Sequence, residues 1–215
     1  GKIPLDPGIP CPNRQKGGCI FCHPPGFTPA YLESGKPIDQ QLAQGKNTFL
    51  GKRFNHYLAY FQQETCTAAA NDVLISSAET ILSDPACLGI IFSTRPDALD
   101  DALLKEENRI IRVYKKECLF ELGLQSSHDR SLKLLNRNHT VEDFARAVKA
   151  INRYPALQIG AHLIFGIPGE RVDDMLESVD FINSLPITHL KLHHLQVLRG
   201  TKLQDMYERG EVTPL

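Results

Sequence analysis

Three cysteines lie within twelve residues near the start of the sequence, at Cys11, Cys19 and Cys22. Thiolates are preferred ligands of soft metal centres, and the loop around Gly17 and Gly18 is flexible enough for three of them to surround one centre. A [4Fe–4S] cluster held by three thiolates keeps its fourth iron open to a substrate or cofactor, as a catalytic cluster requires. The spacing therefore predicts an iron–sulfur site of a catalytic kind.

Other chemistries fit the same residues. Zinc could use His23 as a fourth ligand, although structural zinc sites usually have two separated ligand pairs. Residues 19–23 match the C-x-x-C-H pattern of covalent haem attachment, but that would leave Cys11 without a role. The cysteines could also form a disulfide or simply be buried. The residues alone leave these alternatives open.

The remaining cysteines, Cys66, Cys87 and Cys118, stand apart in apolar or mixed surroundings, where a thiol is usually a small buried hydrophobic group. A chain of 215 residues buries enough core to fold without disulfides. We therefore expect a reduced, cytoplasmic protein with one cysteine-built site.

The composition is that of a globular protein. Hydrophobic residues are 42% and charged residues 23%, which excludes disordered, collagen-like and coiled-coil classes. With 24 basic and 25 acidic residues the formal net charge is −1, so charge gives no support for binding nucleic acid or an anionic membrane. No apolar run approaches the roughly 18 residues of a spanning helix. Because the chain starts at Gly1, we expect residues 1–215 to be a single domain trimmed at both ends.

Strand-like and helix-like patterns alternate along the chain. The strand-like runs cover 3–5, 57–61, 88–92, 119–124, 159–165 and 190–198. The helix-like patterns cover 39–53, 71–82, 97–114, 140–154, 170–185 and 201–209. Asn71 and Thr140 carry capping signals. The alternation predicts a parallel sheet of right-handed βαβ units. Because an eight-unit barrel usually needs about 250 residues, six units predict a doubly wound sheet or an incomplete barrel.

Polar or glycine-rich segments follow the predicted strands directly. Besides the cysteine loop, they are Gln62, 93–97, 125–126 and 166–170. Ligands of parallel α/β folds bind at the carboxyl ends of the strands. We therefore expect these segments to share one rim of the fold and to form a site there.

Seven sequence blocks, together with the cysteine loop, point to one known family. They cover 2–6, 59–62, 93–97, 121–126, 136–140, 161–170 and 195–201. In this order they resemble the radical SAM superfamily. Its usual signature is C-x3-C-x2-C, whereas seven residues separate Cys11 from Cys19. Longer first gaps occur in the branch that includes the elongator catalytic subunit and the YhcC/YtqA-type proteins, and the resemblance to the latter covers almost the whole chain.

The resemblance implies a fold, two cofactors and a reaction. The fold would be an α/β, incomplete (β/α)6 TIM-like barrel with parallel strands and the cluster loop after strand 1. Cys11, Cys19 and Cys22 would hold a [4Fe–4S] cluster whose fourth iron binds S-adenosylmethionine (SAM). Reductive cleavage of SAM would give a 5′-deoxyadenosyl radical that abstracts hydrogen from a substrate. The electron donor would be a protein such as flavodoxin or ferredoxin, and the substrate is not evident.

The resemblance also implies contacts to SAM. Gln125 and Arg137, twelve residues apart, would face its ribose and carboxylate, because a planar guanidinium binds both carboxylate oxygens. Alternatively, Arg137 lies at the surface and pairs with Asp129. Gln62 stands where the family usually has Gly-Gly-Glu, and could bind the methionine amine. The remaining contacts would come from Arg95, Glu121, His162, Gly166 and Val197.

Several residues near these positions also have ordinary structural explanations. Asp97 could cap a helix, Glu64 could be a solvated acid, and His162 could be a satisfied core histidine. Period-two alternation places Glu121 and Leu122 on opposite faces of a strand, so Glu121 needs a partner inside the barrel.

Two other functions compete with a radical SAM enzyme of unknown substrate. The missing Gly-Gly-Glu and the long cysteine gap are compatible with a non-catalytic iron–sulfur or zinc-binding scaffold. The likeness to the elongator subunit suggests a tRNA-modifying radical SAM enzyme, although the near-neutral charge argues against a nucleic-acid partner.

Overall fold

The computed structural model describes residues 1–26, 28–32 and 35–213. Within them one parallel sheet contains strands β1 to β6, at Lys2–Leu5, Tyr57–Phe61, Cys87–Thr94, Glu117–Gln125, Gln158–Phe165 and His189–His194. Helices α1 to α7 cover Ile38–Phe49, Asn71–Leu82, Asp101–Tyr114, Asp129–Leu134, Val141–Ile151, Val172–Asn183 and Lys202–Glu208. None of these helices combines the length and the apolar character that a membrane-crossing segment requires.

The strand order distinguishes the two predicted architectures. Neighbours in the sheet are neighbours in the sequence from β1 to β6, whereas a doubly wound sheet reverses its order at a switch point. The sheet is also curled, because side chains meet across its concave face. Lys2 on β1 donates to Glu121 on β4, and Lys191 on β6 donates to Tyr60 on β2. The predicted incomplete (β/α)6 TIM-like barrel is therefore confirmed, and the doubly wound sheet is excluded.

Alternation along the strands separates two faces of the sheet. Side chains on the convex face pack beneath the helices and form the main core, where the rings of Phe61, Phe92 and Phe120 stack with centroids 5.2 and 5.1 Å apart. Burial of this apolar surface is the main driving force for folding. The concave face carries a smaller apolar cluster that includes Ile91 and Leu119. The rest of the concave face carries the polar residues of the site.

The two predicted capping residues differ in their roles. Thr140 caps α5: its hydroxyl accepts from the Asp143 amide at 3.1 Å, and the Asp143 carboxylate accepts from the Thr140 amide at 2.8 Å. This reciprocal pair confirms the predicted cap. Asn71 is instead the first residue of α2, and its side chain donates to Asp100 at 2.7 Å. The predicted Asn71 cap is wrong because a carboxylate from the next helix start binds that amide.

The helix predicted from residue 97 begins at Asp101. Asp100 caps it by accepting from the Ala102 amide at 2.9 Å. Asp97 caps nothing, because both of its oxygens bind the Arg95 guanidinium, at 2.8 and 2.9 Å. The alternative in which Asp97 is a helix cap is therefore wrong.

The last predicted strand is shorter than expected. β6 ends at His194, whereas the pattern extended to residue 198. The Leu195 amide still donates to the Phe165 carbonyl at 2.8 Å, and the chain then leaves the sheet. It turns at Gly200, whose φ is 77°, and enters α7. Residues 195–200 thereby reach the rim at the carboxyl ends of the strands.

Candidate functional site

The cysteine loop follows β1 and folds back through two left-handed glycines. Gly17 and Gly18 have φ of 90° and 70°, a conformation that residues with side chains disfavour. The turn brings Cys19 and Cys22 back beside Cys11, and all three line one cavity of about 270 Å³. The structure therefore brings together the three predicted ligands at the carboxyl end of β1.

Hydrogen-bond donors surround two of the sulfurs. Asn13 Nδ2 and Arg137 Nη1 lie 3.3 and 3.4 Å from Cys19 Sγ, and Thr65 Oγ1 lies 3.0 Å from Cys11 Sγ. Donors directed at a ligating sulfur stabilise its anionic form and orient it toward the metal. The donor set therefore fits thiolates that bind a metal cluster. Only Arg137 among these three donors was predicted from the sequence.

The three thiols are not spaced as ligands of a single metal ion. Sulfur ligands of one tetrahedral zinc lie about 3.8 Å apart, given a Zn–S bond of about 2.3 Å. Among the described residues, the potential ligands whose atoms all lie within 4.8 Å of one another are not these cysteines but His128, Asp174 and Glu177. Burial raises the pKa of the Cys22 thiol to about 11, and the neighbouring Cys19 contributes. A positive centre between the sulfurs would offset both effects.

Four hydrogen bonds from asparagine side chains tie the cysteine loop to the loop after α4. Asn136 Nδ2 donates to the carbonyls of Lys16 and Gly18, at 3.1 and 2.6 Å. Asn13 Nδ2 donates to the Asn136 carbonyl at 2.8 Å, and Asn138 Nδ2 donates to Asn13 Oδ1 at 2.9 Å. Asn136 and Asn138 have φ of 52° and 54°, which asparagine tolerates better than most residues. Sequence analysis missed these roles, and the Asn-Arg-Asn run was the available signal.

Glu64 anchors the cysteine loop from the other side. Its carboxylate accepts from the Cys11 amide at 2.7 Å, and both of its oxygens bind the Arg14 guanidinium. Its side chain is 15% exposed, so the interpretation as an ordinary solvated acid is wrong. The turn after β2, where Glu64 has a φ of 57°, brings the carboxylate under the loop.

Arg137 and Gln125 meet over Gly123 at the end of β4. Arg137 donates from Nη2 to the Gly123 carbonyl at 2.8 Å and from Nε to His139 Nε2 at 3.1 Å. Gln125 has a φ of 79° and follows an irregularity in the pairing of β4 with β5. A Cβ on residue 123 would lie 2.7 Å from Gln125 Nε2 and 3.0 Å from Arg137 Nη2. A side chain at residue 123 would therefore force Gln125 or Arg137 to move.

Arg137 is buried and does not pair with Asp129. It is 7% exposed, and the Asp129 carboxylate accepts instead from the Val141 amide at 2.8 Å. The surface alternative for Arg137 is therefore wrong, because α4 turns Asp129 toward the start of α5. Burial, and then the Arg137 charge, lower the pKa of His139 to about 4. His139 is thus neutral near pH 7 and can accept the Arg137 hydrogen bond.

Arg95 connects the third strand to the same rim. It is 5% exposed, binds Asp97 with two nitrogens, and donates from Nη2 to the Arg137 carbonyl at 2.7 Å. Within the described residues, its Nη1 is buried without a hydrogen-bond partner. An unsatisfied buried donor is costly, so this atom is available to a bound group.

Glu121 and His162 lie deeper on the concave face and bind each other. The Glu121 carboxylate accepts from His162 Nε2 at 2.9 Å, from Tyr60 Oη at 2.7 Å and from Lys2 Nζ at 3.1 Å. Burial alone would raise the pKa of Glu121, but the bonds from His162 and Tyr60 hold it well below its ordinary value. Glu121 thus has partners inside the barrel, and they come from the chain itself.

The other predicted contacts are distributed around the rim. Gln62 directly follows β2 and is half-buried. Gly166, with a φ of 83°, and Val197 line a narrow apolar recess with Leu195 and Leu203. That recess lies apart from the cavity that the cysteines line.

Comparison with known proteins gives relatives along most of the chain. A family model described as the Radical SAM superfamily matches residues 11–182. Protein YhcC of Escherichia coli (strain K12) is 37% identical over 176 residues, which cover 79% of this chain and 54% of YhcC. A tRNA uridine(34) acetyltransferase of Dehalococcoides mccartyi (strain CBDB1) is 28% identical over 196 residues, covering 75% of this chain and 40% of that protein. The chain spans about half the length of the curated relatives it matches.

The fold is shared with a solved structure. Coproporphyrinogen III oxidase (HemN) from Escherichia coli, described as a radical SAM enzyme, has a TM-score of 0.63 and 14% identity, covering 98% of this chain and 46% of that one. The family model contains all three clustered cysteines and covers most of the strands. The chain belongs to the Radical SAM superfamily.

Proposed function

We propose that the protein is a radical SAM enzyme in which Cys11, Cys19 and Cys22 bind a [4Fe–4S] cluster with an open fourth iron. The observation that carries the proposal is the buried Arg137 guanidinium 3.4 Å from Cys19, one of the three thiols that line a common cavity. When bound, the cluster supplies one electron that breaks the C5′–S bond of SAM, giving a 5′-deoxyadenosyl radical that takes a hydrogen atom from a substrate.

Arg137 would bind the carboxylate of SAM. A guanidinium carries five N–H groups, and three of them bond to Gly123, His139 and Cys19. Two N–H groups therefore remain for a ligand. The neutral His139 and the Gly123 carbonyl hold the plane of the guanidinium, so its orientation does not have to be created on binding.

Gln125 would bind the ribose, because its amide stands beside Arg137 above Gly123. The buried Nη1 of Arg95 would donate to the same cofactor. Glu121 and His162 already bind each other, so a ribose hydroxyl would have to share them. For the remaining residues the SAM contact stays a prediction: Gln62, Gly166 and Val197.

The proposal extends to the setting of the reaction. Residues 1–215 would form the core domain, and because the match covers only 54% of YhcC, we include further segments in the active protein. A reducible cluster needs a reducing compartment and a one-electron donor. We therefore include a cytoplasmic location and an electron donor such as flavodoxin or ferredoxin.

Low-temperature electron paramagnetic resonance tests the cluster and its open iron. The anaerobically reconstituted, reduced protein should show a [4Fe–4S]⁺ signal that changes when SAM is added. Cys22→Ala should lose the signal, whereas Cys87→Ala, in the core at the start of β3, should keep it. A signal that does not change when SAM is added would favour a non-catalytic scaffold. Zinc bound in place of iron would contradict the proposal.

A tRNA substrate is the second candidate, supported by the relative named as a tRNA uridine(34) acetyltransferase. The formal net charge of −1 gives such binding little electrostatic support. Filter binding with unmodified tRNA at about 50 and 200 mM salt would decide. Binding that weakens steeply with salt supports this candidate, and no binding at the lower salt removes it.

A further inference from the structure

A cavity of about 350 Å³ lies on the concave face of the sheet, separate from the cavity lined by the cysteines. One part of its wall is apolar and another is polar. The apolar part is formed by Leu58, Ile91 and Leu119, and the polar part by Lys2, Glu121, His162 and Lys191. The volume is at the lower end for small-molecule sites, which hold roughly 300–1,000 Å³. The cavity therefore has the size and mixed character of a metabolite site.

The Glu121 carboxylate in this cavity already has three hydrogen-bond donors. Glu121 accepts hydrogen bonds from Lys2, Tyr60 and His162, at 3.1, 2.7 and 2.9 Å. Lys2 also lies 4.6 Å from the centre of the Tyr60 ring. The positive charge of Lys2 is thus balanced by Glu121.

Lys191 is the group in this cavity whose charge is not balanced. Its Nζ donates to the neutral Tyr60 hydroxyl at 3.3 Å and lies 5.5 Å from the centre of that ring. Across the part of the chain that the structure describes, Lys191 forms no ion pair with a carboxylate within 4 Å. Burial lowers the pKa of Lys191, and the charge of Glu121 acts in the opposite direction. A half-buried ammonium with one neutral partner gains from an anion.

Glu117, the other acid that lines the cavity, does not provide the anion that would pair with Lys191. In the sheet, Lys191 pairs with His162, and His162 pairs with Gly123. Glu117 stands six residues before Gly123 on β4, which corresponds to about 20 Å along the strand. It is exposed at the opposite end of the cavity.

We infer that this cavity binds a small organic anion whose carboxylate or phosphate group pairs with Lys191 and whose apolar body lies against Leu58, Ile91 and Leu119. The inference rests on the proposed function, since this anion would be the substrate of the enzyme. The concave face continues upward to Gly123, where Arg137 and Gln125 meet. By the strand register Lys191 lies level with Gly123, so the anionic end of the ligand would lie nearer to the proposed cofactor site than its apolar body does.

Calorimetric titrations of the reconstituted protein test the charge requirement with simple probes. Hexanoate should bind at least tenfold more tightly than hexanamide, its uncharged analogue, and hexyl phosphate shows whether the site prefers phosphate to carboxylate. In Lys191→Met the Kd for the preferred anion should rise at least tenfold, and Lys191→Arg should restore part of the loss. Lys149→Met, an exposed lysine on α5, should leave it unchanged.

Equal binding of hexanoate, hexyl phosphate and hexanamide, or an unchanged Kd in Lys191→Met, would overturn the inference. Thermal unfolding of each variant separates lost binding from lost folding. SAM cleavage is measured on the same preparations. SAM cleavage without selectivity for the anion contradicts only this inference. Selectivity for the anion without SAM cleavage contradicts the proposed function but still supports the anion site.

Discussion

At the scale of single residues, the candidate site depends on how Arg137 is held. Its guanidinium bonds to a carbonyl, a neutral imidazole and a thiol sulfur, from Gly123, His139 and Cys19. His139 keeps this role because burial and the adjacent charge lower its pKa to about 4. Arg137 could be predicted as a site residue through the resemblance to the radical SAM family, which includes its spacing to Gln125. Its burial against Cys19 was not, since that contact joins residues 118 positions apart.

Replacing Arg137 by lysine keeps the charge but removes the planar fork. We expect the Kd for SAM to rise by about 10- to 100-fold, because hydrogen bonds to charged groups contribute about 1.5–3 kcal/mol and about 1.4 kcal/mol is a factor of ten. Titration of SAM into the reduced, reconstituted protein measures this. Arg130→Lys, at an exposed arginine of α4, serves as the control. Equal affinities of Arg137→Lys and Arg130→Lys for SAM would show that Arg137 does not bind SAM.

At the scale of helices and strands, local patterns predicted the strands well where the chain is continuously apolar and buried, as in β4. β4 was predicted over 119–124 and covers Glu117–Gln125, because its apolar residues point to the helices at every second position. Helix caps were predictable where the partner is local, as at Thr140, whereas α2 begins at Asn71 as predicted although Asn71 is not its cap. Asn71 binds Asp100, 29 positions away, which no local pattern reveals, whereas Asp97 binds Arg95 only two positions away.

The two predicted caps provide a matched test of this distinction. Thr140→Ala should lower the free energy of unfolding by about 1 kcal/mol, because it removes the capping box of α5. Asn71→Ala should lower it by less than about 0.5 kcal/mol, because its bond to Asp100 is exposed and caps no helix. Urea denaturation gives both values. Equal losses would contradict the assignment of the caps.

A buried acid on α3 makes stability depend on pH. Glu107 is fully buried on the core face of the helix, and neither of its oxygens has a hydrogen-bond partner among the described residues. Burial, and then the charges of Glu79 and Glu106, raise its pKa to about 8 from an ordinary 4.5. Between these values the unfolded chain releases the proton and the folded chain keeps it. The contribution of Glu107 to stability should therefore be greatest below about pH 4.5 and fall toward pH 8, by up to about 1.4 kcal/mol per unit.

Glu107→Met should remove this dependence. Compared with the unaltered protein, the variant should gain on the order of 2–4 kcal/mol of stability between about pH 5 and pH 8, because no buried carboxyl has to stay protonated. Urea denaturation at several pH values measures the two curves. Glu142→Gln, at an exposed position of α5, controls for general charge effects. Parallel curves for Glu107→Met and the unaltered protein would show that Glu107 is not the source.

At the scale of the whole molecule, the sequence pattern was sufficient for the parallel sheet and its six βαβ units. The polar network on the concave face was not predictable in the same way. Its bonds join Lys2 to Glu121 and Tyr60 to Lys191, across 119 and 131 positions. Such pairs form only because the sheet curls, and curling is a property of all six strands together. The cysteine loop, by contrast, was recognisable because its three cysteines lie within twelve residues.

Formation of 5′-deoxyadenosine shows directly whether the protein cleaves SAM as a radical SAM enzyme does. The protein is reconstituted anaerobically with iron and sulfide, reduced, and incubated with SAM, and the product is measured by chromatography. We expect 5′-deoxyadenosine from the unaltered protein and none from the triple variant Cys11→Ala, Cys19→Ala, Cys22→Ala. A bound, reducible cluster that leaves SAM intact, or equal product from the triple variant, would contradict this expectation.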